Sequence, residues 1–214
     1  MYKKKPFFIV FEGVEGCGKS FQSKKLLNNL KKKRIPVLLT REPGGTKSAE
    51  LIRNLILKDY FNHDSKEKFD KYTDTLLYLA ARNEHIKNKI DPALKKKSVV
   101  ICDRFTDSTL AYQVYGKNVN INFINNIHKF ILGKIKPNLT FVLKVSTETS
   151  KKRLKKRKTK NRYDNFAQNF YSRAQNSFLK IAKNKKNYFV LNSSKNDNNL
   201  EKKIFKIVSA YLKI

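Results

Sequence analysis

Cysteine and long apolar runs are both scarce in this sequence, and each shortage excludes a class of protein. The 214 residues include two cysteines, Cys17 and Cys102, which are too few for a disulfide framework and do not have the spacing of a metal site. The apolar run PFFIVF near the amino terminus ends at Glu12, too short for a signal-peptide core, and no later run approaches membrane-spanning length. We therefore expect a cytoplasmic protein with no membrane partner.

Acidic residues and arginine are scarce beside the lysines. Asp and Glu number 17 against 48 Lys and Arg, which gives a formal net charge of +31, yet arginine supplies only nine of the 48. Such a charge can indicate nucleic acid, an anionic membrane or acidic small molecules as partners. Dedicated nucleic-acid readers, however, rely on arginine, and abundant Lys, Asn, Ile, Phe and Tyr are typical of AT-rich codons. We expect a solvated lysine surface and no specific nucleic-acid partner.

Repeats and Gly/Ser/Pro-rich linkers are absent from the sequence, which predicts a single domain over residues 1–214. Hydrophobic residues make up 40% of the chain, enough for a folded core. Five short apolar runs lack clean alternation, as expected of strands buried on both faces, at 7–11, 36–40, 98–102, 139–145 and 188–192. Because stretches with helical spacing separate these runs, the sequence predicts an α/β fold with a mostly parallel sheet covered by helices.

A glycine-rich loop follows the first predicted strand. Its residues match the pattern G-x-x-x-x-G-K-[ST], between a strand and a helix as the mechanism of the motif requires, at Gly13, Gly16, Gly18, Lys19 and Ser20. Backbone N–H groups of such a loop converge on phosphates, the lysine reaches the β and γ phosphates, and the serine hydroxyl binds Mg²⁺. The loop predicts ATP as a ligand and Mg²⁺ as a cofactor. Switches, motors, DNA-binding ATPases and kinases all share it.

Three further clusters of residues help to distinguish among these classes of protein. Asp103 follows the third predicted strand, where an aspartate commonly serves the Mg²⁺ shell, although a charge at a strand end can also be simply solvated. The stretch TREPGGT at 40–46 follows the second strand, at the edge of the sheet where open α/β folds bind ligands. Tyr78 and Arg82 lie four residues apart on one predicted helix face. This spacing is typical of an ordinary amphipathic helix, but with a nucleotide-binding loop nearby the two side chains can also bind a base.

Five motifs, in order along nearly the whole chain, resemble those of bacterial-type thymidylate kinases: FEGVEGCGKS, TREPGGT, LLYLAAR, DRFTDSTLAYQ and NRYDNFAQNFYSRAQ. The resemblance implies a three-layer P-loop NTPase fold, with a central five-stranded parallel sheet, helices on both faces and a basic lid at about residues 150–162. It also implies transfer of the γ-phosphoryl group of ATP to dTMP, giving dTDP and ADP, by a homodimer.

For the sugar and phosphate of dTMP, the resemblance implies four residues with distinct roles. Glu15 would bind the 3′-OH, and Tyr112 would close the floor under the sugar and disfavour a 2′-hydroxyl. Arg53 and Arg104 would hold the acceptor phosphate, because each guanidinium offers a planar donor fork to a dianion.

For the base, the resemblance implies that Tyr78 occupies the place of a family phenylalanine that stacks on thymine. Arg82 and Thr109 would read the base edge, and Gln113 lies next to the wall under the sugar. The implied dTMP site comprises Glu15, Glu42, Pro43, Arg53, Tyr78, Arg82, Arg104, Ser108, Thr109, Tyr112 and Gln113.

For the donor, the resemblance places Arg153 against adenine and Arg157 on the transferring phosphoryl group. Because loop positions 14–17 hold no cation, the lid must supply one. Ser20 and Asp103 would hold the metal. The implied ATP site comprises Gly13, Val14, Glu15, Gly16, Cys17, Gly18, Lys19, Ser20, Phe21 and Arg153, and the implied catalytic residues are Lys19, Arg104, Arg157 and Glu15.

The chain departs from the family pattern at a few positions. Asn161 and Asp164 stand where the family usually has Asp and Glu, Lys144 where it has Asp, and Cys17 where Ala is common. Glu12 matches the pattern but has no firm role. The alternatives to this interpretation are a kinase for another nucleotide or for a nucleoside, a nucleic-acid-binding ATPase and a catalytically silent scaffold.

Overall fold

The computed structural model describes residues 5–58, 68–156, 168–195 and 197–214. Within these ranges, five parallel strands form one sheet in the spatial order β2-β3-β1-β4-β5. Each strand coincides with one of the predicted apolar runs, so the predicted α/β fold is confirmed. The strands are β1 Phe7–Glu12, β2 Val37–Arg41, β3 Val99–Asp103, β4 Leu139–Lys144 and β5 Tyr188–Asn192.

Helices pack on both faces of this sheet. Polar side chains cap the beginnings of several. The Thr46 side chain accepts from the Ala49 N–H at 3.2 Å, and that of Asp70 from the Tyr72 N–H at 2.7 Å. In the described ranges the helices are α1 Lys19–Lys32, α2 Lys47–Leu57, α3 Lys71–His85, α4 Asp91–Lys95, α5 Thr106–Thr109, α6 Tyr115–Lys117, α7 Ile121–Leu132, α8 Thr147–Lys155, α9 Gln168–Ala182 and α10 Asn198–Leu212, with π-helical turns Ile86–Ile90 and Leu110–Val114.

The central strand β1 explains why the apolar runs do not alternate, because all six of its side chains are buried. Phe7, Ile9 and Phe11 pack into the larger core cluster, which includes side chains of α1, α9 and α10. Phe8 and Val10 point to the other face and pack with the π-helical turn that follows α3. Burying an apolar side chain of this size contributes about 2 kcal/mol of transfer free energy, so one six-residue strand anchors both layers.

The strand order places the loops that follow β1, β2 and β3 next to one another at the carboxyl edge of the sheet. β1 lies between β3 and β4, and the chain crosses from β1 to β2 and β3 on one side before it reaches β4 on the other. In the register of the sheet, Asp103 at the end of β3 pairs with both Phe11 of β1 and Arg41 of β2. Since ligands of such sheets bind beyond the carboxyl ends of the strands, at the point where the order reverses, the motifs of the sequence meet there.

Two predictions concern segments that the structure describes only in part. Residues 150–155 of the predicted lid belong to α8, whereas 157–162 lie outside the described residues. The single-domain organisation stays a prediction. In the described part of the chain, no helix has the length and apolar character that crossing a membrane requires.

Candidate active site

The loop between β1 and α1 requires glycine because its backbone lies directly against neighbouring elements. Gly13 has a φ of 132° and Gly16 a φ of 71°, a region that L side chains rarely adopt. A Cβ at Gly13 would lie 2.5 Å from the Leu143 carbonyl oxygen, and one at Gly16 would lie 2.8 Å from the Ser150 carbonyl oxygen. A side chain at either position would push the loop away from β4 or α8, which support it.

The first two residues of α1 bring a cation and a hydroxyl to this loop. Lys19 is 6% exposed, and its Nζ donates to the carbonyl oxygens of Gly13 and Val14, both at 2.9 Å. Ser20 Oγ donates to Asp103 Oδ2 at 2.5 Å. The loop thus holds an oriented ammonium group, and a hydroxyl–carboxylate pair lies beside it at the end of β3.

Glu15, within the loop, forms a cluster with Arg104 and Tyr112. Arg104 Nη2 donates to Glu15 Oε1 at 2.9 Å, and Tyr112 Oη donates to Glu15 Oε2 at 2.7 Å. The Arg104 guanidinium also lies over the Tyr112 ring, 5.2 Å from its centroid. Burial alone raises the pKa of the Glu15 carboxyl, but the charges of Arg104 and Lys19 and the Tyr112 hydrogen bond together hold the pKa below its usual value. The carboxylate is therefore ionised at neutral pH.

Glu12, which sequence analysis left without a role, supports this cluster from the core. Its Oε1 accepts from the backbone N–H groups of Phe105 at 2.8 Å and Ser108 at 3.2 Å, and its Oε2 accepts from Ser108 Oγ at 2.6 Å. Burial, with a contribution from Asp107, raises the pKa of Glu12 to about 8. These bonds fix the turn after Arg104, whose φ of 75° is unusual for a residue with a side chain. Glu12 thus helps to hold the strained turn that presents Arg104.

Arg82, from α3, lies in a buried polar network and is 3% exposed. Its Nε and Nη2 lie 2.8 and 2.7 Å from Glu42 Oε2, and its Nη1 donates to Thr109 Oγ1 at 2.8 Å. His85 Nδ1 lies 3.2 Å from the other Glu42 oxygen. Burial raises the pKa of the Glu42 carboxyl, but the charges and hydrogen bonds of Arg82 and His85 together outweigh burial, and the pKa is lowered. Although Glu42 was predicted to contact dTMP, its oxygens face Arg82 and His85, an arrangement that orients Arg82.

A second arginine pair is organised by Glu50, which sequence analysis missed. Arg41 Nη2 donates to the two Glu50 oxygens at 2.9 and 3.0 Å, and the Gly45 N–H donates to Glu50 Oε1 at 2.8 Å. Arg53 Nη1 donates to the Pro43 carbonyl oxygen at 2.6 Å. The one sequence signal for Glu50 is its position three residues before Arg53 on α2, since residues at that spacing are helix neighbours.

Two histidines were also missed. His85 Nε2 lies 2.6 Å from Thr40 Oγ1, and His128 Nε2 lies 2.8 Å from Arg82 Nη1. Burial and the Arg82 charge lower the pKa of His128 to about 3. His85 follows Arg82 by three residues on α3, which is a signal that could have been used. His128 lies on α7 in no recognisable motif, so only the fold brings it to Arg82.

One cavity of about 450 Å³ collects the predicted acceptor residues. All eleven line its wall: Glu15, Glu42, Pro43, Arg53, Tyr78, Arg82, Arg104, Ser108, Thr109, Tyr112 and Gln113. The predicted donor and metal residues Gly16, Gly18, Lys19, Ser20, Phe21, Asp103 and Arg153 line it too. The rest of the wall comes from residues outside those predicted sets: Arg41, Leu57, Phe105, Leu154 and Lys156. Three predicted loop residues are instead buried in the protein and are not part of this lining: Gly13, Val14 and Cys17.

Arg153 connects the phosphate loop to the segment that follows the edge strand β5. Its Nη1 donates to the Gly16 carbonyl oxygen at 3.1 Å, and its Nη2 donates to the carbonyl oxygens of Ser193 at 3.0 Å and Ser194 at 2.5 Å. It therefore lies between the phosphate loop and the segment after β5. Arg157, the other arginine predicted for the donor side, lies outside the described residues.

Comparisons with known proteins agree with this geometry. The family model for thymidylate kinase matches residues 11–204. The thymidylate kinase of Wolbachia pipientis wMel is 41% identical over 177 residues, which cover 82% of this chain and 84% of that protein. The thymidylate kinase of Mycoplasma capricolum subsp. capricolum is 37% identical over 210 residues, 96% of each chain. A crystal structure of thymidylate kinase from Ehrlichia chaffeensis aligns with a TM-score of 0.74 and 29% identity, over 95% of this chain and 99% of that one. By sequence and by fold, the chain belongs to the thymidylate kinase family.

Proposed function

We infer that this chain transfers the γ-phosphoryl group of ATP to dTMP, giving ADP and dTDP. One observation carries the inference: the phosphate loop and a set of oriented arginines line a single cavity. Lys19 belongs to the loop, and Arg82 and Arg104 belong to the remaining wall. Two anionic nucleotides can meet in this cavity with the required cations already held in place, which is most of what phosphoryl transfer asks of a protein.

The donor phosphates would lie on the loop. Lys19 Nζ, which two loop carbonyls hold in the loop, would contact the β and γ phosphates. Arg153 would flank the adenine, because it lies between the loop and the segment that follows β5. Arg157, from the lid, would contact the transferring phosphoryl group.

Ser20 and Asp103 suit Mg²⁺. Their hydroxyl and carboxylate oxygens are hard donors only 2.5 Å apart, and Mg²⁺ usually takes one or two protein oxygens and completes its shell with phosphates and water. Among the described residues, no group of three or more His, Cys, Asp or Glu side chains could hold a metal. A site completed by the nucleotide fits that arrangement. Ser20 and Asp103 would hold the ion, which would supply positive charge against the charge that develops on the phosphates.

The acceptor would bind across the Glu15 cluster. Because Glu15 is ionised at neutral pH, it can accept a hydrogen bond from the sugar 3′-OH. Arg104 and Arg53 offer planar donor forks to the acceptor phosphate. Tyr112, 5% exposed, would lie under the sugar, where its ring leaves little room for a 2′-hydroxyl. The half-buried ring of Tyr78 would stack on the base.

The chemical step needs no general base from the protein. An oxygen of the dTMP phosphate, already ionised near neutral pH, forms the new bond to the γ-phosphorus. The bond between that phosphorus and the bridging oxygen breaks, and ADP leaves. Lys19, Arg104 and Arg157 would stabilise the charge spread over the transferring group. Closure of the lid would exclude water, the competing acceptor.

A coupled assay of ADP formation with each nucleoside monophosphate tests this function. We expect dTMP to be the best acceptor, with dUMP lower by about tenfold because it lacks one methyl group. UMP, CMP and AMP should be far worse, since they present a 2′-hydroxyl and, in two cases, a different base edge. If CMP or AMP proved the best acceptor, the proposal would be wrong.

We also propose that the chain forms a homodimer through α2, α3 and α7. These helices pack on one another, and they expose apolar side chains, which include Leu51 at 70%, Leu76 at 48% and Phe130 at 86%. The double variant Leu51→Glu/Leu76→Glu should sediment as a monomer. Val190 is an exposed apolar residue on β5, and Val190→Glu should sediment with the mass of the wild-type dimer. A wild-type monomer at micromolar concentration would contradict the proposal.

A further inference from the structure

The guanidinium of Arg82 has all of its hydrogen-bonding capacity engaged. An arginine has five N–H groups and no acceptor. In the described structure, Nε and one Nη2 N–H face Glu42, and the second Nη2 N–H donates to the Phe105 carbonyl oxygen at 2.9 Å. The two Nη1 N–H groups face Thr109 Oγ1 and His128 Nε2, both at 2.8 Å. Every donor has an acceptor, so the plane of the guanidinium is fixed.

His128 differs from the other partners in where it comes from. It lies on α7, which packs against α3, and it does not line the cavity, unlike Glu42, Phe105 and Thr109. Any effect of His128 on a ligand must therefore pass through Arg82.

The contact also determines the state of the His128 ring. Because Arg82 can only donate, His128 Nε2 must be the unprotonated nitrogen, and the ring proton lies on Nδ1. His128 is 8% exposed. Burial and the neighbouring guanidinium lower its pKa to about 3, so the ring is a neutral acceptor throughout the physiological range.

Thr109 connects this network to the cavity. Its Oγ1 accepts from Arg82 and keeps its own O–H and a second lone pair. These are the groups that can meet a base edge. Their direction depends on the position of Arg82 Nη1, and His128 Nε2 accepts from the other N–H of that atom.

We propose that His128 is a positioning residue, which fixes Arg82 and, through it, Thr109, and so helps to select the acceptor base. This inference rests on the proposed function, with Thr109 at the base edge as the resemblance implies and Arg82 setting the direction of its hydroxyl. Without an acceptor at position 128, one buried Nη1 N–H would lack a partner, which is costly. The guanidinium would then turn toward another acceptor and carry Thr109 with it.

Three variants test the role. His128→Phe keeps an aromatic ring but has no acceptor, whereas His128→Gln restores an acceptor through its amide oxygen. Ile124→Val is the matched control, because Ile124 lies one turn earlier on the same helix, is fully buried and belongs to the core. For each, kcat and KM would be measured with dTMP, dCMP and ATP.

For His128→Phe we expect the dTMP KM to rise about tenfold, and the preference for dTMP over dCMP in kcat/KM to fall about tenfold, with the ATP KM within about twofold of wild type. His128→Gln should recover most of both losses, and Ile124→Val should change neither. A merely structural role would lower kcat for both acceptors equally and leave KM and the preference unchanged, which would overturn the proposal.

A measurement on the wild-type protein keeps the test open if His128→Phe does not fold. The ¹⁵N spectrum of the histidine ring should show an unprotonated Nε2 and a protonated Nδ1 for His128 from about pH 5 to 8, with the signal assigned by its absence in His128→Gln. A ring that takes up a proton near its ordinary pKa would overturn the proposal. Wild-type enzyme that does not phosphorylate dTMP would instead refute the proposed function, so the two failures are distinguishable.

Discussion

The two edges of the central sheet carry basic residues in opposite ways. At the carboxyl edge, Lys19, Arg82 and Arg104 are largely buried and each hydrogen-bonds to named oxygens. At the amino edge, the turns before four strands carry exposed basic residues and no acidic one, at 33–34, 95–97, 134–136 and 183–186. Of these, Lys95 pairs with Asp91, and within the described ranges Lys96, Lys97 and Lys134 have no ion pair.

This difference shows that the number of charges says little about recognition. An exposed lysine on a flexible stem is screened by salt and contributes little to stability or specificity. A buried guanidinium with fixed acceptors is already oriented before a ligand binds. In a site with little water, its electrostatic interaction with the ligand is screened less than it would be in solution. We therefore expect substitutions at the carboxyl edge to change catalysis or folding, and substitutions at the amino edge to change neither.

The largest effect should come from Lys19→Ala. Removing the ammonium from the loop leaves the β and γ phosphates without their protein cation, so kcat should fall by about 10³-fold or more. The far-ultraviolet circular dichroism should match that of wild type, because the lysine side chain mainly contacts loop carbonyls. Substantial turnover in this variant would contradict the role of Lys19.

Next in size is Glu42→Gln, which removes the charge partner of a buried arginine. Breaking a buried pair in this way typically costs about 3 kcal/mol of unfolding free energy, measurable by urea denaturation. Lys96→Gln at the amino edge is the matched control and should change the unfolding free energy by less than about 0.5 kcal/mol. Equal effects of the two substitutions would show that buried and exposed cations contribute alike.

The same pair should also respond to pH. Arg82 and His85 together hold the pKa of Glu42 below its unfolded value against burial. The stabilisation is therefore complete above the ordinary glutamate pKa and is lost as pH falls through the lowered value. The difference in stability between wild type and Glu42→Gln should therefore shrink below about pH 4. A difference that grows on acidification would have the wrong sign.

Arg157→Ala should lower kcat by about 10²-fold, with the dTMP KM little changed, because the contact forms mainly in the transition state. Arg157→Lys should recover only part of the loss, since a lysine cannot bridge two phosphate oxygens as a guanidinium does. The neighbouring lysines of the lid are the main competitors for this role. A kcat within about threefold of wild type for Arg157→Ala would indicate Arg153 or Arg162 instead.

The smallest effect should come from the amino edge. Replacing six exposed lysines by glutamine should leave kcat/KM for dTMP within about twofold and reduce the salt dependence of weak DNA binding, at Lys96, Lys97, Lys134, Lys136, Lys183 and Lys186. DNA binding by the wild type should be weak and lost steeply with salt. Tight binding at physiological salt, with stimulated ATP hydrolysis, would favour the nucleic-acid-binding ATPase.

Sequence reasoning worked best where a residue's role is local. The strands were visible because runs buried on both faces are continuously apolar, and the phosphate loop was visible because its glycines, lysine and serine act within eight residues. The resemblance then supplied an acceptor set whose members all line one cavity.

The roles of the supporting residues Glu12 and His128 were not predictable, because their partners lie far away in the chain. Glu12 contacts Ser108 across 96 positions, and Arg82 contacts His128 across 46. No spacing rule relates such pairs, and a lone glutamate or histidine in a strand or helix has no distinctive pattern. Only the packing of α3 against α7, and of β1 against the turn after β3, brings them together.

An internal competition among nucleoside monophosphates tests whether the buried arginine network selects thymine. Equal concentrations of dTMP, dUMP, dCMP and CMP would compete for the wild-type enzyme at limiting ATP, and the ratio of diphosphate products gives the ratio of kcat/KM values. We predict that dTDP is the main product, that dUDP forms about tenfold less, and that dCDP and CDP form in smaller amounts still. If dCDP or CDP equalled or exceeded dTDP, the buried arginine network would not be selecting thymine, and the account would be contradicted.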